Sequence, residues 1–187
     1  MKQVLWLTLS ILVGLFFILL GSRLFKKQIH QKIYLWFFAS LYGASILYFS
    51  LLCRKPHVPV SFHFKPFYTY KVALACWGGI KTVSRDVCNS VLWSSQNIFE
   101  VTKNSPIEEC FLNIVCFLPF GFFAGLLNKK MSWWKILLVG ALVSLTIEIL
   151  QASFHLGSCE LDDLFNNTLG ALIGWWLYKL YNHLRFN

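Results

Sequence analysis

The chain has 187 residues, of which 57% are hydrophobic, 18% aromatic and only 13% charged, about half the charged share usual in soluble domains. With a mean hydropathy of +0.57 and several long apolar runs, it excludes an ordinary soluble domain and reads as an all-α, polytopic transmembrane helical bundle of about five spans. The net charge of +9 does not point to nucleic acid, because the basic residues flank apolar runs, where they set topology and meet anionic headgroups.

In chain order, Val4 to Leu20 is the first apolar run. It is followed by Ser-Arg-Leu-Phe-Lys-Lys rather than a small-residue cleavage site, so it reads as a span with a stop-transfer flank and not as a signal peptide. Residues 1–32 thus form an N-terminal transmembrane helix and a basic loop, whose Arg23, Lys26, Lys27 and Lys32 place it in the cytoplasm. A second unit covers 33–181, with spans at about 33–52, 107–127, 133–154 and 163–181 and an outer loop over 53–106. Within that loop, residues 72–80 are apolar but too short to cross, which suits an interfacial or re-entrant segment. Pro119 lies inside the third span and is expected to kink it. Asn128-Lys129-Lys130 is a second short basic turn, and Lys179 and Arg185 follow the last span. The basic segments share one side if the N-terminus is outside and the C-terminus is cytoplasmic. The six cysteines have no CxxC spacing and read as buried or idle thiols.

A few polar residues stand in otherwise apolar helices, where an ionisable group costs roughly 2.5–3.5 kcal/mol or more and so faces a protein interior. Asn113 lies in the outer half of the third span. Ser144, Glu148 and Gln151 recur at i, i+4, i+7 on the fourth, with Glu148 about 6–7 Å outward of its centre. Asp162, Asp163 and Asn167 open the fifth, with Glu160 just before it. These residues are expected to form one polar pocket open to the exterior. Either aspartate also suits a cap for the fifth span. Gly121/Gly125 and Gly170/Gly174 are GxxxG pairs that permit close helix approach. Glu148 has no basic residue near it in sequence. It is expected to be protonated, bonded to Gln151 or Asn113, or bound to a cationic group.

Asn113-x-x-x-Phe117-x-Pro119-x-Gly121, then Ser144-x-x-x-Glu148-x-x-Gln151, then Asp162-Asp163-x-x-x-Asn167-Thr168-x-Gly170-x-x-x-Gly174 resemble the signature of VanZ-like membrane proteins. Phe62 to Phe67 is similar to an Asn-Leu-Ile-Pro-Phe run of that family, with His63 in place of its Asn. Gly157 stands where the family commonly has Arg, Cys159 where it has Phe, and Glu160 where it has the first Asp. The family is named for a protein of glycopeptide resistance clusters. The resemblance implies a protein of the bacterial cytoplasmic membrane and cell envelope that reduces susceptibility to teicoplanin.

Two function classes stay open. One is a non-enzymatic bundle that binds a lipoglycopeptide or a lipid-linked cell-wall precursor at the outer face. The other is a membrane-embedded enzyme, in which Glu148 is a general base and Glu160, Asp162 and Asp163 hold a divalent cation. No nucleophile is identifiable for it. A transporter would need an oligomer, since the chain shows no internal repeat. Membrane lipids are expected partners, and no cofactor is expected.

Overall fold

A computed structural model describes residues 28–52, 62–63, 67–77, 106–156 and 159–186. The expected first span at 4–20, Gly157 and most of the outer loop lie outside these residues. Five helices make up nearly all of what is described. Helix α1 runs over Gln28–Leu47 and passes into a π-helical turn at Tyr48–Leu52. Helix α2 is Tyr68–Trp77, α3 Pro106–Leu127, α4 Trp133–Ser153 and α5 Leu161–Phe186. Phe62–His63 pairs in parallel with Cys159–Glu160, joining the segment before α2 to the segment before α5.

This is an all-α membrane protein. Lys32–Leu52, Glu108–Leu127 and Trp133–Ser153 are each long and apolar enough to cross a bilayer. Trp36, Phe37, Leu138, Leu142 and Ile149 are among many large apolar side chains left exposed, a surface that suits a membrane. Helix α5 has 26 residues, about 39 Å of helix. Its hydropathy is lowered by Asp162 and Asp163 in the first turn and His183 and Arg185 in the last. Of the region 72–80, residues 72–77 form the end of α2, a ten-residue helix too short to span, and 78–80 lie outside the described residues.

Lipid offers no hydrophobic force to join helices, so close packing decides association. The tightest packing lies between α3 and α5. A Cβ built on Gly121 would stand 1.7 Å from the Ala171 carbonyl oxygen, one on Gly170 2.2 Å from that of Ile114, and one on Gly174 1.9 Å from that of Leu118. Gly121, Gly170 and Gly174 therefore lie backbone against backbone across the seam. Gly125 instead faces the ring of Tyr178. Helix α4 approaches α5 through Gly140, and its buried residues, Ile136, Gly140, Ser144, Ile147, Glu148 and Gln151, form one stripe. Phe117, Phe122, Trp175 and Tyr178 complete the core.

Helix α3 continues through the buried Pro119. Proline has no N–H for the carbonyl four residues before it. Next to that carbonyl, the hydroxyl of Tyr42 donates to the carbonyl of Cys116. The Tyr42 ring also packs 5.8 Å from that of Phe123. These contacts attach α1, which otherwise has no buried residue between 32 and 52. Helix α4 ends where His155 takes a left-handed backbone (φ 55) and Leu156 N–H donates to the Gln151 carbonyl at 2.8 Å, the return bond of a helix C-terminus.

Candidate functional site

The end of α1 meets the end of α4, α2 is tied to the start of α5, and most of the polar residues singled out above lie on these segments. On α4, Ser144 is 0%, Glu148 3% and Gln151 2% exposed. Their spacing puts them on the one face that α4 turns inward. Asn167 Nδ2 donates to Ser144 Oγ at 2.9 Å. Gln151 Nε2 donates to the Ser50 carbonyl at 3.0 Å, one of the end carbonyls that a helix cannot satisfy itself. Gln151 Oε1 and Asn167 Oδ1 are buried without a hydrogen-bond partner among the described residues. Ser144→Ala removes the protein partner of Asn167 Nδ2 in a dry interior. It is expected to lower stability by about 1 kcal/mol, read as a drop in melting temperature in detergent.

Glu148 is not joined to Gln151 or Asn113. Its Oε2 accepts the backbone N–H of Glu160 at 3.1 Å, so this buried carboxylate holds the two-residue strand before α5. Asn113 is half-buried on α3 and joins no hydrogen bond of this layer among the described residues.

The aspartates differ from expectation. Neither caps α5 in the expected way: the helix already starts at Leu161, and both lie in its first turn. Asp162 caps α2 instead. Its Oδ1 accepts Phe67 N–H at 2.6 Å and its Oδ2 accepts Thr69 N–H at 3.1 Å. A carboxylate at a helix N-terminus satisfies orphan donors and suits the helix dipole. It also holds Phe67 in a left-handed conformation (φ 58) that a bulky residue rarely adopts. The proposed metal role of Glu160, Asp162 and Asp163 is not assembled. Both oxygens of Asp162 are engaged by backbone, and no group of three His, Cys, Asp or Glu among the described residues could hold a metal ion.

Asn166 stands out in the sequence as a polar residue of an otherwise apolar helix, but the aromatic residues Tyr70 and Phe165 do not. Phe67 stacks on Phe165 with centroids 4.8 Å apart, and the Tyr70 hydroxyl donates to Asn166 Oδ1 at 2.5 Å. Burial first, and the neighbouring Cys110 next, push the Tyr70 phenol up to about 12, which keeps it a neutral donor. The available signal was Phe62–Phe67, a short polar and aromatic run ahead of α2. What it would pair with, 95 residues further on, was not written in it. The thiols also divide. Cys110 and Cys116 are free, but Cys76 on α2 is in a disulfide, which corrects the reading of all six as idle.

In this arrangement a short helix is tied to the start of α5, and Asp162 and Glu148 each accept backbone N–H groups. Protein VanZ from Enterococcus faecium is 31% identical to the chain over 88 residues, an alignment covering 47% of this chain and 55% of that protein. The chain thus spans about half the length of the curated relative it matches. No solved structure matches it significantly. The sequence model of the VanZ/LLP1 family matches residues 5–182, nearly the whole length and every helix described above, and the chain therefore belongs to the VanZ/LLP1 family.

Proposed function

We propose that the protein acts at the outer face of the bacterial cytoplasmic membrane, without covalent chemistry, to reduce susceptibility to lipoglycopeptide antibiotics of the teicoplanin type. Family membership over residues 5–182, together with the likeness to Protein VanZ, carries this reading. The drug class follows from the association of VanZ-like motifs with glycopeptide resistance. In this reading the end of the bundle that carries α2 contacts the drug or a lipid-linked cell-wall precursor, with the N-terminus outside and the C-terminus in the cytoplasm. The roles of Asp162 and Glu148 as acceptors for backbone N–H groups favour a binding or structural site over a catalytic one.

The test is drug susceptibility in a sensitive Gram-positive host that expresses the chain. Teicoplanin tolerance is expected to rise while vancomycin tolerance does not. Glu148→Gln keeps an acceptor for Glu160 N–H but not the charge, and is expected to lose most of the effect. An unchanged response to teicoplanin, with the protein confirmed in the membrane, would sink the proposal.

The disulfide of Cys76 supports an outer position for the connection between α1 and α3, because disulfides persist in oxidising compartments. In intact cells, a membrane-impermeant maleimide is expected to label Cys76 only after an impermeant phosphine reductant. Labelling that needs permeabilised cells would place this connection inside.

The enzymatic alternative draws on the 3% exposure of Glu148, since buried carboxylates can serve as general bases. Turnover of a lipid-linked precursor by purified protein, abolished by Glu148→Gln, would favour it.

A further inference from the structure

Helix α2 has two unlike sides. It turns Thr69 and Ala73 into the protein. At about 100° per residue, the opposite side presents Lys71 and Leu74, with Tyr68 and Trp77 on its two flanks. Tyr68, Leu74 and Trp77 are each more than half exposed. Lys71 is exposed as well and has no ion pair among the described residues. The outward face is therefore one cation set among aromatic and aliphatic side chains.

The contacts of α2 set the depth of this face. Asp162, in the first turn of α5, accepts Phe67 N–H and Thr69 N–H, and Tyr70 donates to Asn166. Cys110, which also neighbours Tyr70, stands just inside the start of the span Glu108–Leu127. Helix α2 thus lies where the spans leave the hydrocarbon, at the depth of the headgroups. It begins at the side of the bundle: Phe67 stacks on Phe165, and Phe165, Leu169 and Ile173 form an exposed apolar strip down α5. Tyr and Trp favour this depth, and a lysine there lays its stem on the apolar layer while its ammonium reaches the phosphates. Water would leave Leu74 and Trp77 uncovered, and an apolar protein groove would leave the Lys71 charge unmet. A headgroup layer satisfies both. A re-entrant course would draw Lys71 into hydrocarbon, which is costly.

We propose that α2 is a membrane-surface anchor, whose face of Tyr68, Lys71, Leu74 and Trp77 binds the phospholipid headgroup layer, with Lys71 on an anionic lipid phosphate and Leu74 at the acyl boundary. The lipid then holds the side of α2 that the protein leaves free, and Asp162 passes that hold to the start of α5. The proposal rests on the membrane-spanning helices and on the docking of α2, so it stands whether or not the protein confers drug tolerance.

The full chain is reconstituted in vesicles of phosphatidylcholine and phosphatidylglycerol. A dansyl amino acid replaces Leu74 in one sample and Leu142, at mid-span on α4, in another; both positions are exposed, so the fold is retained. Quenching is compared for a nitroxide on the lipid headgroup, a nitroxide near the end of the acyl chain, and aqueous iodide. The probe at position 74 is expected to be quenched more by the headgroup nitroxide than by either of the others, and the probe at position 142 most by the chain-end nitroxide. Quenching by iodide alone at position 74 would mean a face in water. Chain-end quenching there as strong as at position 142 would mean a re-entrant segment, and shielding from all three would mean a protein cover. Each of these outcomes overturns the proposal. Hydrogen exchange reads the charge contact. Over Thr69 to Ala73 it is expected to be about fivefold slower with phosphatidylglycerol present than in phosphatidylcholine alone, the effect of one lysine at an anionic surface. Lys71→Gln should remove that difference. Equal exchange of the wild type in both lipids would overturn the contact of Lys71 with phosphate.

Discussion

Gly174→Leu is expected to prevent accumulation of folded protein. The atoms that meet a Cβ at this position are the Leu118 carbonyl oxygen at 1.9 Å, its carbon at 2.8 Å and the Cα at 3.1 Å. All three are backbone, so no rotamer change relieves the clash and α3 must move off α5. Overpacking that side chains can absorb costs about 1–3 kcal/mol. Here the upper end is a floor, and the loss is expected to exceed about 3 kcal/mol. Separation also breaks the contacts of Gly121 and Gly170 across the same seam. The measurement is size-exclusion behaviour in detergent after stepped heating. Two other glycines calibrate it. Gly125 faces only the Tyr178 ring, and Gly43 has nothing within 4 Å. Gly125→Ala should be milder, and Gly43→Ala neutral or stabilising by up to about 1 kcal/mol through helix propensity. A Gly174→Leu protein that melts with the wild type would refute the α3–α5 crossing.

Asp162→Ala is expected to free α2 while leaving the bundle folded. The substitution removes the acceptor for Phe67 N–H and Thr69 N–H. Hydrogen bonds to a charged group are each worth about 1.5–3 kcal/mol, so roughly 3 kcal/mol of local stability is at stake. Two further terms then act against docking. The left-handed Phe67 costs on the order of 1–3 kcal/mol and persists only while its surroundings dictate it. Besides the stack on Phe165, the bond to Asn166 and the disulfide of Cys76, helix α2 buries only Thr69 and Ala73. Its Leu74 and Trp77 are 68% and 88% exposed. Hydrogen exchange should show protection lost over Thr69 to Ala73 and kept over α3 and α5. Asp162→Asn retains one acceptor and should give an intermediate loss. Wild-type protection in Asp162→Ala would disprove the capping role. Drug tolerance measured on the same variants would show whether the docking of α2 matters to the proposed function.

Both predictions rest on features that differ in how far the chain announces them. Helical character was legible because it is local. Apolar runs the length of a bilayer have only one way to satisfy their backbone in lipid, and composition alone reports them. The inward face of α4 was legible for a similar reason: Ser144, Glu148 and Gln151 share a helical period, and polar groups in such a helix turn away from hydrocarbon. The glycine pairs declared a close contact, since a four-residue spacing lines up small residues on one helix face. They did not declare which helices meet.

Pairing across long separations was decided only in three dimensions. Asp162 looked like a cap for its own helix because a sequence shows the nearest N-terminus and not the one that folds back over it. Glu148 was expected to be protonated, bonded to Gln151 or Asn113, or bound to a cationic group, and one group it holds is the Glu160 backbone N–H, which every residue carries and no motif distinguishes. Tyr70 and Asn166 stand 96 positions apart. By itself, then, the sequence determined the solvent this protein lives in, its helices and the faces they turn inward, because hydropathy and periodicity are properties of short stretches. The tertiary structure alone decided which carboxylate holds which backbone and which face α2 turns outward, because hydrogen bonds and packing act between groups the chain brings together only when it folds.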